Sequence, residues 1–325
     1  MRLGKVRQEH KYLAVQHFSK EKQWNVSWMC RNLGISRKSY YKWLKRPIPA
    51  QERENNEIAV LVQEYDERFG HILGYRRMTL WLNTLNGTHY NHKRIYRVMR
   101  GLGIQAVIRK KKKRYPLSKP EETAQNLLKR DFYAERPNLK WATDVTELKV
   151  SATGQKLYLS AILDLYDRSI VAYRVSGRND NALVFDTFRD AVRANPEAKP
   201  LFHSDRGFQY TTRVFQQMLA EQGMTSSMSR VSHCIDNGPT EGLWGLIKDE
   251  MTAMYAFTTA AELKDAVDKY INFYNNQRLQ LRYGGKTPSQ VREEALAADN
   301  PTSYPIPENK RIQRYKAKWL INESA

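Results

Sequence analysis

The chain has 325 residues, 41% of them hydrophobic, and carries 54 Lys and Arg against 34 Asp and Glu, for a net charge of +20. That length has room for two or three domains, one of them with a full core. It contains no apolar run of about 18 residues, so no membrane-spanning helix and no membrane partner are expected. The basic start, MRLGKVRQEHKYLAV, is followed by no apolar stretch or small-residue cleavage site and does not read as a secretory signal. A cytoplasmic, nucleoid-associated location is expected. The two cysteines, Cys30 and Cys234, have no partner at zinc-site spacing and read as small buried apolar residues.

The charge is uneven. Residues 1–137 hold 30 Lys and Arg against 12 Asp and Glu, and the remainder is close to neutral. A polyanion partner, double-stranded DNA above all, is the natural reading of such a basic half. Residues 8–46 read as a small helical module. In VSWMCRNLGISRKSYYKWLKR an apolar-periodic helix runs to Leu33, Gly34 turns the chain, and Ser36 is placed to cap a second helix. That helix carries Arg37, Lys38, Lys42 and Lys45, with Tyr40, Tyr41 and Trp43 expected to face its own core. The layout is that of a helix-turn-helix, with the basic residues expected on DNA. Residues 47–50 look like a linker, and a second helical region begins at Asn55 and reaches about Leu102. Within it Gly74-Tyr75-Arg76-Arg77 is expected between two helical stretches, while Lys93 and Arg94 open a basic helix. Arg76, Arg77, Lys93 and Arg94 are expected DNA contacts. So is the run Arg109, Lys110, Lys111, Lys112, Lys113 and Arg114, suited to gripping phosphates without reading bases.

The near-neutral half has a different texture. Leu139–Val150, Lys156–Leu165 and Ser169–Val175 are three strand-like runs in succession, separated by short polar turns. A helix is expected over Asn181–Arg193, a short strand ending at Phe202, a helix over Thr212–Gln222, a strand over Thr225–Met228 and a helix from about Pro239. Three strands in meander and then alternating helices and short strands make an α/β fold, RNase H-like, preceded by all-α helix-turn-helix domains. The expected boundaries are 1–48 for the first DNA-binding domain, 49–115 for the second, 116–137 for a linker, 138–295 for the catalytic core and 296–325 for a tail.

Three acids stand out in this core. Asp144 lies in the middle of an otherwise apolar strand, where burial is costly unless a metal or partner compensates. Asp205 follows the short strand in HSDRGFQY, and Glu241 falls in the first turn of a helix in DNGPTEGLWGLIKDE. Breaking and joining DNA phosphodiesters needs an activated oxygen and a stabilised 3′ leaving oxygen. Two divalent cations held by carboxylates can supply both. Two Mg2+ ions, with Mn2+ as a substitute, are the expected cofactors. Lys248, seven positions after Glu241, lies about 700° around the helix, on the same face and roughly 10 Å further along. Asp164 and Asp167 sit beside a strand-to-strand turn and are expected to be structural, and Asp236 and Asn237 to shape the loop before the helix.

Several segments together resemble one family. WATDVTELKV, LYLSAILDLYDRSIVAYRVS, HSDRGFQY, SRVSHCIDNGPTEGLWGLIKDE, YINFYNNQRLQLRYGGKTPSQVR and, nearer the amino terminus, GYRRMTLWLN are similar to transposases of the bacterial insertion-sequence family typed by number three, the IS-three family. The similarity is to the second reading-frame product, which carries an integrase-type core. It implies a DDE transposase that cleaves and transfers strands at the element's ends. Asp144, Asp205 and Glu241 would be its metal-binding catalytic triad, and Lys248 its accompanying basic residue. It further implies binding to the terminal inverted repeats and to target DNA, assembly as a homodimer or larger homo-oligomer, and a possible upstream-frame partner. The loop before Glu241 departs from the family pattern, with Val231-Ser232-His233 and Gly238-Pro239-Thr240 where other residues are usual. Two rivals remain open. A retroviral-type integrase would carry a His-His-Cys-Cys zinc module, yet residues 1–137 hold five histidines and only Cys30. A regulator that has lost catalysis would not need all three acids.

Overall fold

The computed structural model describes residues 8–47, 50–107, 124–230 and 234–306, and Arg109–Arg114 lie outside them. The chain divides into two compact units, Met1–Ile58 and Ala59–Ala325.

In the first unit, α1 (Gln8–Glu21), α2 (Val26–Asn32) and α3 (Arg37–Leu44) enclose a core of Tyr12, Val15, Met29, Cys30, Ile35 and Tyr40. Asn25 starts α2 by accepting hydrogen bonds from the Ser27 and Trp28 amides. Gly34, at φ +63°, makes the left-handed turn that redirects the chain into α3. Ser36 stands at the cap position of α3, but its side chain makes no capping bond there. Tyr41 corrects the expectation of three core aromatics. Tyr40 and Trp43 are three positions apart and share the inner face, whereas Tyr41 lies a further 100° round and is 40% exposed.

α4 (Ala50–Arg68) begins five residues before Asn55, so Ala50 is helical and not linker. Ala-Gln-Glu-Arg-Glu are good helix formers, and Glu52 complements the positive end of the dipole. α5 (Tyr75–Asn86) has Gly74 at its cap, so Tyr75-Arg76-Arg77 form its first turn and do not bridge two helices. α6 (His92–Gly101) is capped by the Asn91 side chain on the Lys93 amide.

The sheet of the second unit comprises β1 (Lys140–Lys149), β2 (Lys156–Asp164), β3 (Ile170–Ser176), β4 (Leu201–Ser204) and β5 (Thr225–Met228), in spatial order β3-β2-β1-β4-β5. The first three strands form an antiparallel meander, while β4 and β5 run parallel to β1. These are the strands expected from the sequence, within a residue or two at each end. α7 (Asn181–Ala194) and α8 (Arg213–Glu221) cover one face, where Trp141, Phe188, Phe202 and Phe215 are packed. α9 (Gly238–Met254) packs on β1 across the other face, followed by α10 (Ala260–Asn276) and α11 (Pro288–Ala297). Capping boxes at Thr259/Glu262 and Thr287/Gln290 start the last two helices.

Segments flanking the sheet also join this unit. Leu128 is buried and its amide donates to Ser227 of β5. At the other end, Tyr304 packs its ring on Tyr166 and Tyr283, and Tyr166 donates to the Thr302 carbonyl.

Candidate active site

Strand parity decides which acids can meet. Asp144 lies opposite Ala161 near the middle of β1, and its neighbour β4 pairs Ala142 with His203. Carrying that parallel register two residues further sets Asp205 beside Asp144 on the same face. Asp164 pairs with Trp141, an odd number of residues from Asp144, and so belongs to the opposite face. There Asp164 and the neighbouring Asp167 are fully buried and bridged by Arg292 at 3.1 and 3.0 Å, consistent with a structural role.

α9 brings the third acid. Asn237, at the helix cap, donates its carboxamide to the Thr143 carbonyl at 3.1 Å and ties the helix start to the residue before Asp144. Pro239 and Glu241 follow in the first turn, where proline's missing amide is harmless and a carboxylate suits the dipole. Glu241 is exposed and close enough to Asp144 to raise its proton affinity. Trp244, one turn on, was not anticipated from the sequence. Its indole Nε1 donates to Asp144 Oδ2 at 2.9 Å, and the Val145 amide donates to Oδ1 at 2.8 Å. The usable signal was spacing, because position i+3 from Glu241 shares its face of the helix. Lys248 donates to Thr146 Oγ1, two residues along β1 from Asp144, so the shared face inferred for Glu241 and Lys248 is turned towards β1.

Burial, the Asp205 carboxylate and that of Glu241 push Asp144 up to about 7, against the pull of the Trp244 and Val145 hydrogen bonds. Burial also raises Asp205, whose Oδ1 accepts the Gly207 amide at 2.8 Å. Among the described residues no three His, Cys, Asp or Glu side chains stand as a ready-made metal cage. The donor set nevertheless fits a hard divalent cation, since neighbouring carboxylates, two of them half-buried, are relieved by positive charge and offer oxygen ligands.

The basic residues are less uniform than expected. Arg37, Lys38, Lys42 and Lys45 are exposed along α3, and Arg76 and Lys93 are exposed on α5 and α6. Arg94 is half-buried and lies over the Tyr90 ring. Arg77 has an internal acidic partner. The first-turn geometry of α5 points it inward, where Nη1 meets Glu250 of α9 at 2.8 Å.

A mixed five-stranded sheet with carboxylates at the centre of β1 and the end of β4 defines an RNase H-like, integrase-type core. Comparison with known proteins agrees. Integrase core domain families match residues 134–234 and 241–296, and an HTH-like domain family matches residues 52–112, over α4–α6. The chain is 38% identical to the InsK protein of insertion sequence element IS150 from Escherichia coli (strain K12), over 82% of this chain and 93% of that one. It is 29% identical to transposase InsF for insertion sequence IS3A of the same organism, over 88% of this chain and all of that one. The HTLV-2 integrase catalytic core domain aligns with 48% of the chain at 21% identity, covering 97% of that chain, with a TM-score of 0.40. The chain belongs to the insertion-sequence transposases of the IS150 and IS3 type, the IS-three family. Its class of activity is polynucleotidyl transfer in DNA transposition, and its helical and integrase domains act on DNA.

Proposed function

We propose that this transposase cleaves the DNA strands at the ends of its insertion sequence and joins them to target DNA, using Asp144, Asp205 and Glu241 as a DDE triad. The observation that carries the reading is the approach of three acids from distant segments to one face of the sheet: Asp144 on β1, Asp205 just past the end of the parallel strand β4, and Glu241 in the first turn of α9. The triad would hold two Mg2+ ions, or Mn2+ in their place, whose chemistry is to activate the attacking oxygen and stabilise the leaving 3′ oxygen. Trp244 fixes the orientation of the Asp144 carboxylate, and the Gly207 amide fixes that of Asp205. Lys248, beside Thr146, is placed to meet a phosphate of the DNA end as a point charge.

Recognition of the terminal inverted repeats is assigned to the basic helical region, with the exposed residues of α3 and α6 reading and gripping the duplex. The working particle is a homodimer or larger homo-oligomer on DNA, joined where the element makes one by the upstream reading-frame product. It would act on chromosomal DNA in the bacterial cytoplasm.

Single substitutions Asp144→Asn, Asp205→Asn and Glu241→Gln test the triad. Each is expected to abolish metal-dependent cleavage of end-bearing DNA while leaving binding of that DNA within about twofold, because residues acting as one unit are lost together. Robust cleavage by any one of the three would overturn the assignment. Cleavage by none of them and none by the wild type would favour a DNA-binding regulator instead.

A further inference from the structure

Glu250 lies in the C-terminal half of α9 with only 6% exposure, and cations from two other segments surround it. Arg278, just beyond α10, meets it with both arms, Nε to Oε2 at 2.9 Å and Nη2 to Oε1 at 2.8 Å. Tyr270 of α10 donates to Oε2 at 2.9 Å. Arg77 of α5 supplies the fourth bond, Nη1 to Oε1 at 2.8 Å. Burial alone would raise this carboxyl, yet the hydrogen bonds and charges of the two arginines hold it below the usual glutamate range.

The same junction is close-packed elsewhere. Gly70, in the turn after α4, stands so near α9 that an added Cβ would lie 2.8 Å from the Ala253 carbonyl oxygen and 3.0 Å from Met254 Cα. Phe69 and Phe273 face each other with ring centroids 6.0 Å apart. The turn after α4 and helix α5, both within the HTH-like domain, therefore dock on α9 and its neighbour α10. Glu250 follows Glu241 by nine residues, about 900° of helical rotation, so the clamp grips the side of α9 opposite the acid.

We infer that Arg77 is a positioning residue: by holding Glu250 it sets the rotation and height of α9 over β1, and so places Glu241 and Lys248 while joining the HTH-like domain to the carboxylate site. The inference rests on the proposed role of Glu241. It replaces the reading of Arg77 as a phosphate contact. Without Arg77, Glu250 keeps Arg278 and Tyr270, so its charge is not orphaned and the fold survives. What is lost is the tie between α5 and α9. Displacements near 1 Å at a reacting centre can lower a rate by about a hundredfold.

Full-length wild type, Arg77→Met, Arg77→Lys and Gly70→Ala make the test, the last disturbing the same junction independently. For Arg77→Met, cleavage under single-turnover conditions at saturating end DNA and Mg2+ is expected to fall at least about tenfold. Affinity for that DNA and the slope of log affinity against log salt should be unchanged. Arg77→Lys should recover most of the rate, since an ammonium can reach the same oxygen, and Gly70→Ala should share the defect. Hydrogen exchange without DNA should show faster exchange of the α9 amides around Glu241 in Arg77→Met and Gly70→Ala. A salt slope reduced by about one with a normal saturated rate would make Arg77 a phosphate contact and overturn the inference. A folded Arg77→Met with wild-type cleavage and wild-type α9 exchange would overturn it as well. If the wild type itself does not cleave, the proposed function fails, and α9 exchange alone then decides for or against the positioning role.

Discussion

Asp205 lies in the short loop after β4, and Gly207 packs directly against its carboxylate. A Cβ at Gly207 would stand 2.9 Å from Asp205 Oδ1, 3.2 Å from Gln209 Oε1 and 3.3 Å from Tyr210 Cδ2. Gln209 and Tyr210 are buried, so the carboxylate is the group that must yield. Gly207→Ala is expected to keep the fold, with a melting temperature within a few degrees of wild type, and to lower cleavage by about tenfold or more. Cleavage at the wild-type rate would show that the rotation of Asp205 does not matter. A neighbouring lesson concerns Arg77 and Arg76, adjacent and chemically alike. Arg76 lies over the Tyr75 ring and is exposed, whereas Arg77 turns to a buried carboxylate. Residue type cannot separate a DNA contact from an internal ion pair, but helical phase can.

At the scale of an element, α9 carries Glu241, Trp244 and Lys248 and is fixed at both ends. Its C-terminal half is held by the Glu250 clamp. Its start is held by Asn237 and by Asp236, a fully buried carboxylate bound by Arg130 Nε at 2.6 Å and by Arg230 Nε and Nη2, both at 2.9 Å. Burial alone would raise Asp236, but the hydrogen bonds from Arg230 and Arg130 outweigh it and bring the group down to about 2. A depressed carboxyl stabilises the fold above its unfolded value, near 3.9, and that contribution disappears as pH falls through about 2. Wild type should therefore lose stability in denaturant melts between about pH 4 and pH 2. Asp236→Asn should be less stable at pH 7 by roughly 3 kcal/mol, because a buried guanidinium loses its anion. It should also lack this part of the acid dependence. Equal stability of the two proteins at pH 7 would mean that the carboxylate adds nothing beyond its shape.

Over the whole molecule the dominant feature is the charge of +20 on a protein that acts on DNA. Affinity for duplex DNA should fall steeply with salt, since each neutralised phosphate releases counterions. Replacing all six residues Arg109–Arg114 by Gln should weaken cognate and random duplexes alike and flatten the salt slope by up to about five. Arg37→Gln and Lys42→Gln, on the exposed side of α3, should instead penalise the cognate end more than random DNA. Equal losses on both duplexes after the α3 changes would remove sequence reading from that helix.

What the sequence determined by itself was local. The meander β1–β3 was legible because apolar runs of strand length are bounded by Gly154 and the Asp167-Arg168 turn, and β4, α8, β5 and α9 followed from the same alternation of pattern and punctuation. The candidate acids could be named because a carboxylate in an apolar strand is costly and because the quoted segments resemble a family whose membership the relatives bear out. Tertiary structure decided what depends on phase and on distant partners. Register placed Asp144 and Asp205 on one face and Asp164 on the other. Helical rotation sent Tyr41 outward and Arg77 inward. Trp244 reached Asp144 across 100 residues of sequence, and Tyr304 found the Tyr166–Tyr283 cluster. The physical reason is common to all of these. Propensity and capping act within a few residues and leave a trace in the local string, whereas the direction of a side chain is set by packing whose energy is shared among segments far apart in the chain.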